Sequence, residues 1–423
     1  MLKMKPSSLA GVVLFTLVAA SNELRAAQIE ITVDTAFGEY FEMHKAIAAK
    51  FMEAHPDIRV AFNNPASNYD ELFQRTIRGA ITGTVADVSF QFYGYVRPLV
   101  DRGLPLSLSN FIAAEPNWND LGYLSKSTSM AQVGEEVYGV PFNTSISFIF
   151  YNKSQVRKAG RDPDAFPQSW NEIASLSKSI SDISGPGTGI YIDYYYIAAN
   201  LTFDALIETQ GGKMMSDDLT QIAFDGPEGV AALRILHKLG ASGMIDTTRN
   251  QAQQSFKAGA LAMYASTSGD IRTFKDAAEA AGWQLGCAAF PLASTDGRYP
   301  AGGNAGMIMT KDAAKQAAAW EYIKFATGEI GQLMVAKFTG YMPSNRKTIE
   351  NPEFRNTLYA DPCYKTAVDQ LAHVTGPFTF PGPNAQRISA TIRDLLREVV
   401  TQNKAPAAVM PKLVSEVKAL LPQ

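Results

Sequence analysis

The opening of the chain decides the fold: the run Ile29-Glu-Ile-Thr-Val33 precedes a helical segment over 40–55 and a second short run, Ile58-Arg-Val-Ala-Phe62. The first run alternates in the manner of a β-strand, and the segment after it has apolar residues at helical spacing. A helix over 68–78 and a buried strand over 86–90 continue the alternation. This order predicts a mostly parallel, doubly wound α/β sheet, which binds ligands at the carboxyl ends of its strands.

A second region of alternating strands and helices begins at the apolar run 146–151. Ser169-Trp-Asn-Glu172 opens a helix with a capping box, and short strands are predicted at 189–192 and 261–264. The chain of 423 residues is too long for one hydrophobic core, and no long linker divides it. We therefore expect two α/β lobes joined by several short crossing segments that form a hinge.

The N-terminus has the order of a secretory signal peptide: a basic start, an apolar stretch over Leu9–Ala20, and small residues at Ala26 and Ala27. The apolar stretch is about a dozen residues long, which is shorter than the roughly twenty that cross a bilayer. We expect residues 1–27 to be removed and the remaining chain to be secreted. Since no cysteine lies near the junction, a lipid anchor is disfavoured and the periplasm is the expected location.

Charge and histidine placement argue against nucleic-acid binding and against a metal site. The formal charge is −3, and a mildly acidic protein is a poor ligand for nucleic acid. The histidines lie on separate helical patterns, without the spacing of a metal site. We expect all four on exposed helix faces: His44, His55, His237 and His373.

The two cysteines are too few for a disulfide framework. Cys287 lies in a strand-like run and is expected to be buried, and Cys363 lies in a helical region. We predict that both are unpaired thiols of the core.

The sequence contains no motif for a nucleophile or for phosphate binding. The run Gly185-Pro-Gly-Thr-Gly189 lacks the lysine and the spacing of a P-loop. The hydroxyl-rich run Ser266-Thr-Ser-Gly269 lacks the flanking glycine of a nucleophile elbow, and no histidine is placed to activate it. Carboxylate pairs could still come from distant segments, so a secreted glycoside hydrolase stays open as the alternative function. We assign no catalytic residue, cofactor or metal ligand.

Aromatic and polar side chains crowd the ends of several predicted strands. These clusters are Phe90-Gln-Phe-Tyr93, Asn143-Thr-Ser145 and Tyr194-Tyr-Tyr196. Amides and hydroxyls hydrogen-bond sugar hydroxyls, while aromatic faces cover the C–H surfaces of a sugar ring. Each cluster alone is also typical of a core rim, but together they favour a carbohydrate-like cleft.

Several stretches add up to one pattern, which resembles the family 1 extracellular solute-binding proteins and, within them, the branch that binds glycerol 3-phosphate or sugars. The most specific block is Tyr138-Gly-Val-Pro-Phe-Asn-Thr-Ser145 with Phe150-Tyr-Asn-Lys153. A second block is Phe256-Lys-Ala-Gly-Ala-Leu-Ala-Met263, followed by the Ser266–Gly269 run. Further stretches in the family's order are 302–304, 320–325 and 339–343.

The resemblance implies the two-lobed periplasmic-binding-protein fold of type II and the role of a receptor for an ABC importer. The lobes are then expected at 28–140 plus 267–327 and at 141–266 plus 328–423. It also implies a monomer that closes around a small polyhydroxylated ligand and delivers it to an inner-membrane permease. In this pattern the Ser266–Gly269 run and the backbone of Gly302 and Gly303 face the ligand.

This sequence departs from the glycerol 3-phosphate branch at positions that matter for the ligand. Gly94 stands where the branch has a glutamate for glycerol hydroxyls, and Asp34-Thr-Ala-Phe37 replaces a tryptophan-histidine pair. Three tyrosines, 194–196, replace a loop that bears tryptophan. The ligand is therefore left open among a sugar, a polyol, glycerol phosphate and a glycerophosphodiester.

The candidate residues of the site combine aromatic rings for stacking with amides and hydroxyls for hydrogen bonds. Arg387 occupies the place where the resemblance implies a phosphate-binding arginine, whose guanidinium donates parallel hydrogen bonds. The candidate lining residues are Tyr40, Tyr69, Gln91, Tyr93, Asn143, Thr144, Ser145, Tyr194, Tyr195, Ser268, Gly303, Asn304, Tyr341 and Arg387.

Overall fold

The computed structural model describes residues 28–123, 128–196, 198–294 and 296–422, so the predicted leader at 1–27 lies outside the described residues. The strands are β1 (Ile29–Asp34), β2 (Ile58–Phe62), β3 (Val88–Phe92), β4 (Gln132–Val133), β5 (Glu136–Val137), β6 (Val140–Ser145), β7 (Ser147–Asn152), β8 (Ile190–Ile192), β9 (Met263–Thr267), β10 (Leu285–Ala289), β11 (Tyr299–Pro300), β12 (Gly302–Ile308) and β13 (Val374–Thr375).

The α-helices of the described residues are α1 (Phe41–Ala54), α2 (Tyr69–Thr82), α3 (Val96–Val100), α4 (Ser109–Ala114), α5 (Lys153–Lys158), α6 (Trp170–Ser184), α7 (Leu201–Glu208), α8 (Pro227–Ala241), α9 (Arg249–Lys257), α10 (Ile271–Ala281), α11 (Ala313–Thr327), α12 (Glu329–Phe338), α13 (Arg346–Glu350), α14 (Pro362–Asp369), α15 (Ala385–Val400) and α16 (Pro406–Lys418). None of them is both long enough and apolar enough to cross a bilayer.

The first lobe is built on a five-stranded sheet in the order β2-β1-β3-β12-β6. Strand β1 pairs in parallel with β2 and β3, as the alternation at the start of the chain predicts. Helices α1 and α11 pack their apolar faces together on this sheet, where Ile47, Phe51 and Ile323 are fully buried. This burial removes the apolar face of each helix from water and is the main stabilising term of the lobe.

The second lobe is built on a four-stranded sheet in the order β10-β7-β9-β8. Every residue of strand β7 is buried, and its centre, Phe148-Ile-Phe-Tyr151, is apolar, as in a strand that is covered on both faces. Its Phe150 packs edge-on against Phe274 of α10, and helices α8, α15 and α16 pack against one another in the same core. The two sheets thus form two separate α/β units, as predicted.

Both sheets are mixed, whereas the sequence predicted mostly parallel ones. Strand β12 runs antiparallel to β3 and β6, and β7 runs antiparallel to β9 and β10. The reason is that the chain crosses between lobes: β6 leaves the first sheet and continues after Ile146 as β7 of the second. The strands that follow a crossing, β7 in the second sheet and β12 in the first, are therefore antiparallel to their neighbours.

The later segments divide between the lobes differently from the prediction. Within 267–327, helix α10 and strand β10 belong to the second lobe, where β10 pairs with β7. Within 328–423, helix α12 packs on α1 and α11 in the first lobe. The chain therefore passes between lobes after β6, between β10 and β12, and between α13 and α14. An amphipathic pattern identifies a helix but not the sheet on which the helix packs.

Cys287 and Cys363 form a disulfide, so the prediction of two unpaired thiols is wrong. Cys287 lies on β10 and Cys363 in the first turn of α14, with their Cα atoms 5.2 Å apart and a sequence separation of 76. The pairing depends on the docking of α14 against β10, which the sequence spacing does not reveal.

His44 is buried, which contradicts the prediction of an exposed helix face. Its ring stacks on Phe142 with the ring centroids 5.2 Å apart, and it also contacts Phe90. Burial lowers the pKa of His44 to about 3, so the imidazole is neutral. The other three histidines are partly exposed.

Candidate ligand-binding cavity between the lobes

A cavity lies between the two lobes, at the carboxyl ends of β1 and β3. The lobes close tightly around it, and the space in it that a water-sized molecule can occupy is about 50 Å³. The first lobe contributes mainly aromatic rings and glycine backbone, and the second contributes hydroxyls, small apolar side chains and a guanidinium. The lining residues are Phe37, Tyr40, Tyr69, Phe92, Ser145, Ala198, Leu201, Arg249, Ser266, Thr267, Gly302, Gly303 and Tyr341.

A larger groove of about 560 Å³ lies on the second lobe, between Trp170, His237 and Leu292. It is open to solvent and its described walls come from one lobe. The cavity between the lobes is the better candidate for the ligand-binding site, because residues of both lobes line it and because it lies at the strand ends where α/β sheets bind ligands.

Local backbone structure brings the aromatic rings to the cavity. Phe37 follows β1 with a positive φ of 65°, and Tyr40 ends the 3-10 turn before α1. Tyr69 is the first residue of α2, directly after Asn68, whose side chain caps the helix. Phe92 is the last residue of β3. These residues converge because the carboxyl ends of neighbouring parallel strands share one edge of the sheet.

The rings contact one another and form a continuous aromatic wall. Ring centroids are 4.9 Å apart for Phe37 and Tyr69, 5.6 Å for Tyr69 and Phe92, and 5.4 Å for Tyr40 and Tyr341. Burial raises the pKa of Tyr69 to about 12, so its hydroxyl stays protonated. The wall therefore offers apolar faces together with hydroxyl groups that can donate or accept.

Hydrogen bonds behind the wall hold Tyr69 and the glycine strand in place. Asn304 donates from Nδ2 to the Tyr69 hydroxyl at 2.8 Å, and its backbone N–H donates to Oδ1 of Asn143 at 3.0 Å. The Tyr93 hydroxyl donates to the carbonyl of Asn143 at 2.7 Å. These buried residues support the lining residues and are not themselves part of the lining.

Gly303 needs to be glycine for two reasons. Its φ is +113°, a region that side chains rarely adopt. A Cβ at this position would lie 2.2 Å from the carbonyl oxygen of Asn143. The bare backbone of Gly302 and Gly303 therefore forms part of the cavity wall.

Arg249 is the charged residue of the lining, and two buried carboxylates face it. Its Nε lies 3.2 Å from Oδ2 of Asp193 and its Nη2 lies 3.7 Å from Oδ2 of Asp270. The guanidinium also lies over the ring of Phe37, 5.3 Å from the centroid. Burial raises the pKa of Asp270 to about 6 and also raises the pKa of Asp193, although Arg249 acts in the opposite direction on both. We name these three residues the Arg249 group: Arg249, Asp193 and Asp270.

A second set of contacts joins the lobes beside the cavity. Arg393 of α15 pairs with Asp70 of α2, with Nη1 and Oδ2 2.7 Å apart. Across the lobes the Thr379 hydroxyl donates to the carbonyl of Gly94, while within the first lobe the Tyr95 hydroxyl donates to Asp70. Because Asp70 and Gly94 belong to the first lobe and Arg393 and Thr379 to the second, the two contacts between the lobes require the lobes to be closed.

Five of the predicted site residues line the cavity: Tyr40, Tyr69, Ser145, Gly303 and Tyr341. Four more lie directly behind it in buried positions: Tyr93, Asn143, Thr144 and Asn304. The others do not line it. Gln91 donates to Thr76 and Ser89 inside the first lobe, and Ser268 accepts from the N–H of Ile146 at the crossing.

Tyr194, Tyr195 and Arg387 also lie away from the lining. Tyr194 is buried in the core of the second lobe, and the Tyr195 hydroxyl donates to Asp394 at 3.1 Å. Arg387 is exposed on the first turn of α15. A guanidinium there does not reach the cavity, so the phosphate-binding place that the resemblance implied for Arg387 is not part of the lining.

Arg249 is the main lining residue that sequence reasoning missed, along with Phe37, Phe92 and Leu201. The Ser266 and Thr267 hydroxyls lie where the hydroxyl-rich run was expected to face the ligand. One signal in the sequence could have identified Arg249. It is the first residue of a helix, where a positive charge interacts unfavourably with the helix dipole, and this placement indicates a role other than stabilising the helix.

Gly94 is confined by its neighbours. A Cβ there would lie 2.5 Å from Cε1 of Phe92 and 2.8 Å from the Thr379 hydroxyl. Any side chain there would require Phe92 or Thr379 to move. No group of histidine, cysteine, aspartate and glutamate within the described residues could hold a metal ion.

Two lobes on separate sheets, with a polar and aromatic cavity between them, form the arrangement expected of a solute-binding protein. The family model of the bacterial extracellular solute-binding proteins matches residues 46–361. The chain belongs to this family, and the resemblance predicted from the sequence is confirmed.

Individual relatives agree with this assignment. The sn-glycerol-3-phosphate-binding periplasmic protein of Escherichia coli K12 is 21% identical over 414 residues, covering 91% of this chain and 90% of its own. UgpB of Mycobacterium tuberculosis, solved with glycerophosphocholine, superposes with a TM-score of 0.82 at 19% identity, over 92% of this chain and 98% of its own. A solute-binding protein of Thermotoga lettingae bound to α-D-tagatose gives 0.81 at 18% identity, over 93% and 100%. The two-lobed fold is thereby confirmed.

Proposed function

We propose that this protein is the periplasmic receptor of an ABC importer and that it captures a small polyhydroxylated ligand between its lobes. The cavity carries this proposal, because it combines an aromatic wall with hydroxyl groups and bare backbone contributed by both lobes. Closure of the lobes shields the ligand from water and presents a shape that an inner-membrane permease recognises. The protein acts as a monomer in this scheme.

Membership of a family of binding proteins favours capture over the glycoside hydrolysis that the sequence left open. Solved relatives hold tagatose in one case and glycerophosphocholine in another. These ligands share a polyhydroxylated backbone, which fits the hydroxyls of Ser145, Ser266 and Thr267. The ligand class of this chain is therefore a sugar, a polyol or a glycerol phosphate compound.

Thermal-shift and calorimetric screening of the purified protein tests the proposal, with sugars, polyols, glycerol 3-phosphate and glycerophosphocholine as probes. We expect at least one probe to stabilise the protein and Tyr341→Ala to abolish that shift, since Tyr341 lines the cavity. Tyr359→Ala is the matched control, because Tyr359 lies outside the cavity and bonds to Asp369. Turnover of a chromogenic glycoside without stabilisation by any probe would overturn the receptor assignment.

A further inference from the structure

We infer that the Arg249 group makes the cavity selective for uncharged ligands and excludes phosphates. The inference rests on the proposed function, because it concerns the ligand that the cavity receives. It deepens that function by assigning a specificity role to Asp193 and Asp270, which lie beside the cavity but do not line it.

The first argument is the balance of charge. One guanidinium faces two carboxylates, and Asp193 and Asp270 are 0% and 1% exposed, so water screens their charge poorly. A phosphate that approached Arg249 would meet a group without net positive charge. Among the lining residues no other side chain is cationic, and Arg387 lies exposed outside the cavity.

The second argument is the supply of hydrogen bonds. Oδ2 of Asp193, Oδ2 of Asp270 and Nε of Arg249 are buried and have no hydrogen-bond partner within the described residues, although Arg249 forms ion pairs with both carboxylates. A buried carboxylate oxygen needs a donor. Because neither carboxylate lines the cavity, both depend on the Arg249 guanidinium for donors, and a phosphate group, which has acceptors only, would have to compete with both of them for its N–H groups.

The third argument is the aromatic wall. Ring faces carry partial negative charge and attract cations, as the position of Arg249 over Phe37 shows. The same faces repel an anion but pack well against the C–H surface of a neutral ring. Charge, hydrogen bonding and aromatic faces therefore all favour an uncharged polyhydroxylated ligand.

The test compares glycerol 3-phosphate with a panel of neutral sugars and polyols, by calorimetry on the purified protein from residue 28 to residue 423. We expect the wild-type protein to bind a neutral probe and to bind glycerol 3-phosphate far more weakly. Asp270→Asn removes one negative charge, so we expect it to raise the affinity for glycerol 3-phosphate by about tenfold or more. Asp193→Asn should likewise raise the affinity for glycerol 3-phosphate, and it replaces Asp270→Asn in the test if that variant does not fold.

Asp246→Asn is the matched control, because it removes the same charge from the second lobe at an exposed position paired with Arg397. It should leave both affinities unchanged. Tight binding of glycerol 3-phosphate by the wild-type protein, or folded Asp270→Asn and Asp193→Asn variants without a gain, would overturn the inference while leaving the receptor function intact. If the wild-type protein bound none of the probes, that result would count against the proposed function. The inference would then still be decided by whether Asp270→Asn or Asp193→Asn binds glycerol 3-phosphate more tightly than the wild-type protein does.

Discussion

At the residue scale, His44 shows how burial sets the response of the fold to acid. The imidazole lies between Phe90 and Phe142, and Nδ1 has no hydrogen-bond partner among the described residues. Since burial lowers its pKa from 6.5 to about 3, the neutral form contributes stability that is fully present above pH 6.5 and is lost as the pH falls toward 3.

We predict that His44→Leu makes the protein less sensitive to acid. Between pH 7.5 and pH 5 the wild-type free energy of unfolding should fall by about 2 kcal/mol more than that of the variant, because the unfolded imidazole binds a proton that the folded one does not. Urea unfolding at both pH values measures the difference. His237→Gln controls for the loss of a surface histidine, and an identical pH dependence of wild type and His44→Leu would contradict the prediction.

The sequence and the family resemblance together predicted Tyr40, Tyr69, Gly303 and Tyr341 as site residues, and these lie at the cavity, whereas the predicted Arg387 does not line it. Arg387 matched a place in the family pattern, yet it lies on the exposed side of α15. The arginine of the cavity comes from the start of α9, and its partners come from two other segments of the second lobe. No local pattern links these segments, because only the packing of the lobe brings them together.

At the scale of the elements, strands and helices were well predicted, because alternation and helical spacing are local properties. Strands β1, β2 and β3 and helices α1 and α2 lie where the opening alternation placed them. The partners of the elements were harder to predict. Strand β10 joined the second sheet and α12 the first lobe, contrary to expectation.

We predict that the disulfide between β10 and α14 stabilises the fold. Its closed loop spans 76 residues, and loss of such a crosslink costs about 4 kcal/mol in the chain-entropy account. We expect the double variant Cys287→Ser/Cys363→Ser to unfold at lower urea concentration than wild type. A reductant should lower the stability of the wild-type protein in the same way and leave the double variant unchanged; a reductant without effect on the wild type would contradict this.

At the scale of the whole molecule, the closed arrangement depends on contacts that no single lobe contains. The aromatic wall and Arg249 meet across the cavity, while the pair of Asp70 and Arg393 joins the lobes beside it. A ligand that occupies the cavity stabilises the closed state, and each contact between lobes adds to its apparent affinity.

We predict that Arg393→Gln weakens ligand binding without loss of the fold. The ion pair with Asp70 is partly exposed, so its removal should raise Kd by about two- to fivefold. Calorimetry with the best probe from the screen measures the change. Arg397→Gln breaks a pair with Asp246 inside the second lobe and should leave Kd unchanged. Equal losses in both variants would show that the pair of Asp70 and Arg393 does not favour closure.

The sequence by itself determined the α/β class, the elements, the family and the aromatic character of the site. It could do so because periodicity, turn residues and motif order are encoded along the chain. Only the tertiary structure decided the mixed sheets, the disulfide, the burial of His44 and the charge of the cavity. These depend on which distant segments come into contact, as Arg249, Asp193 and Asp270 do from three separate segments of the second lobe. That contact supports the proposal of a cavity for an uncharged ligand, a question that the sequence left open.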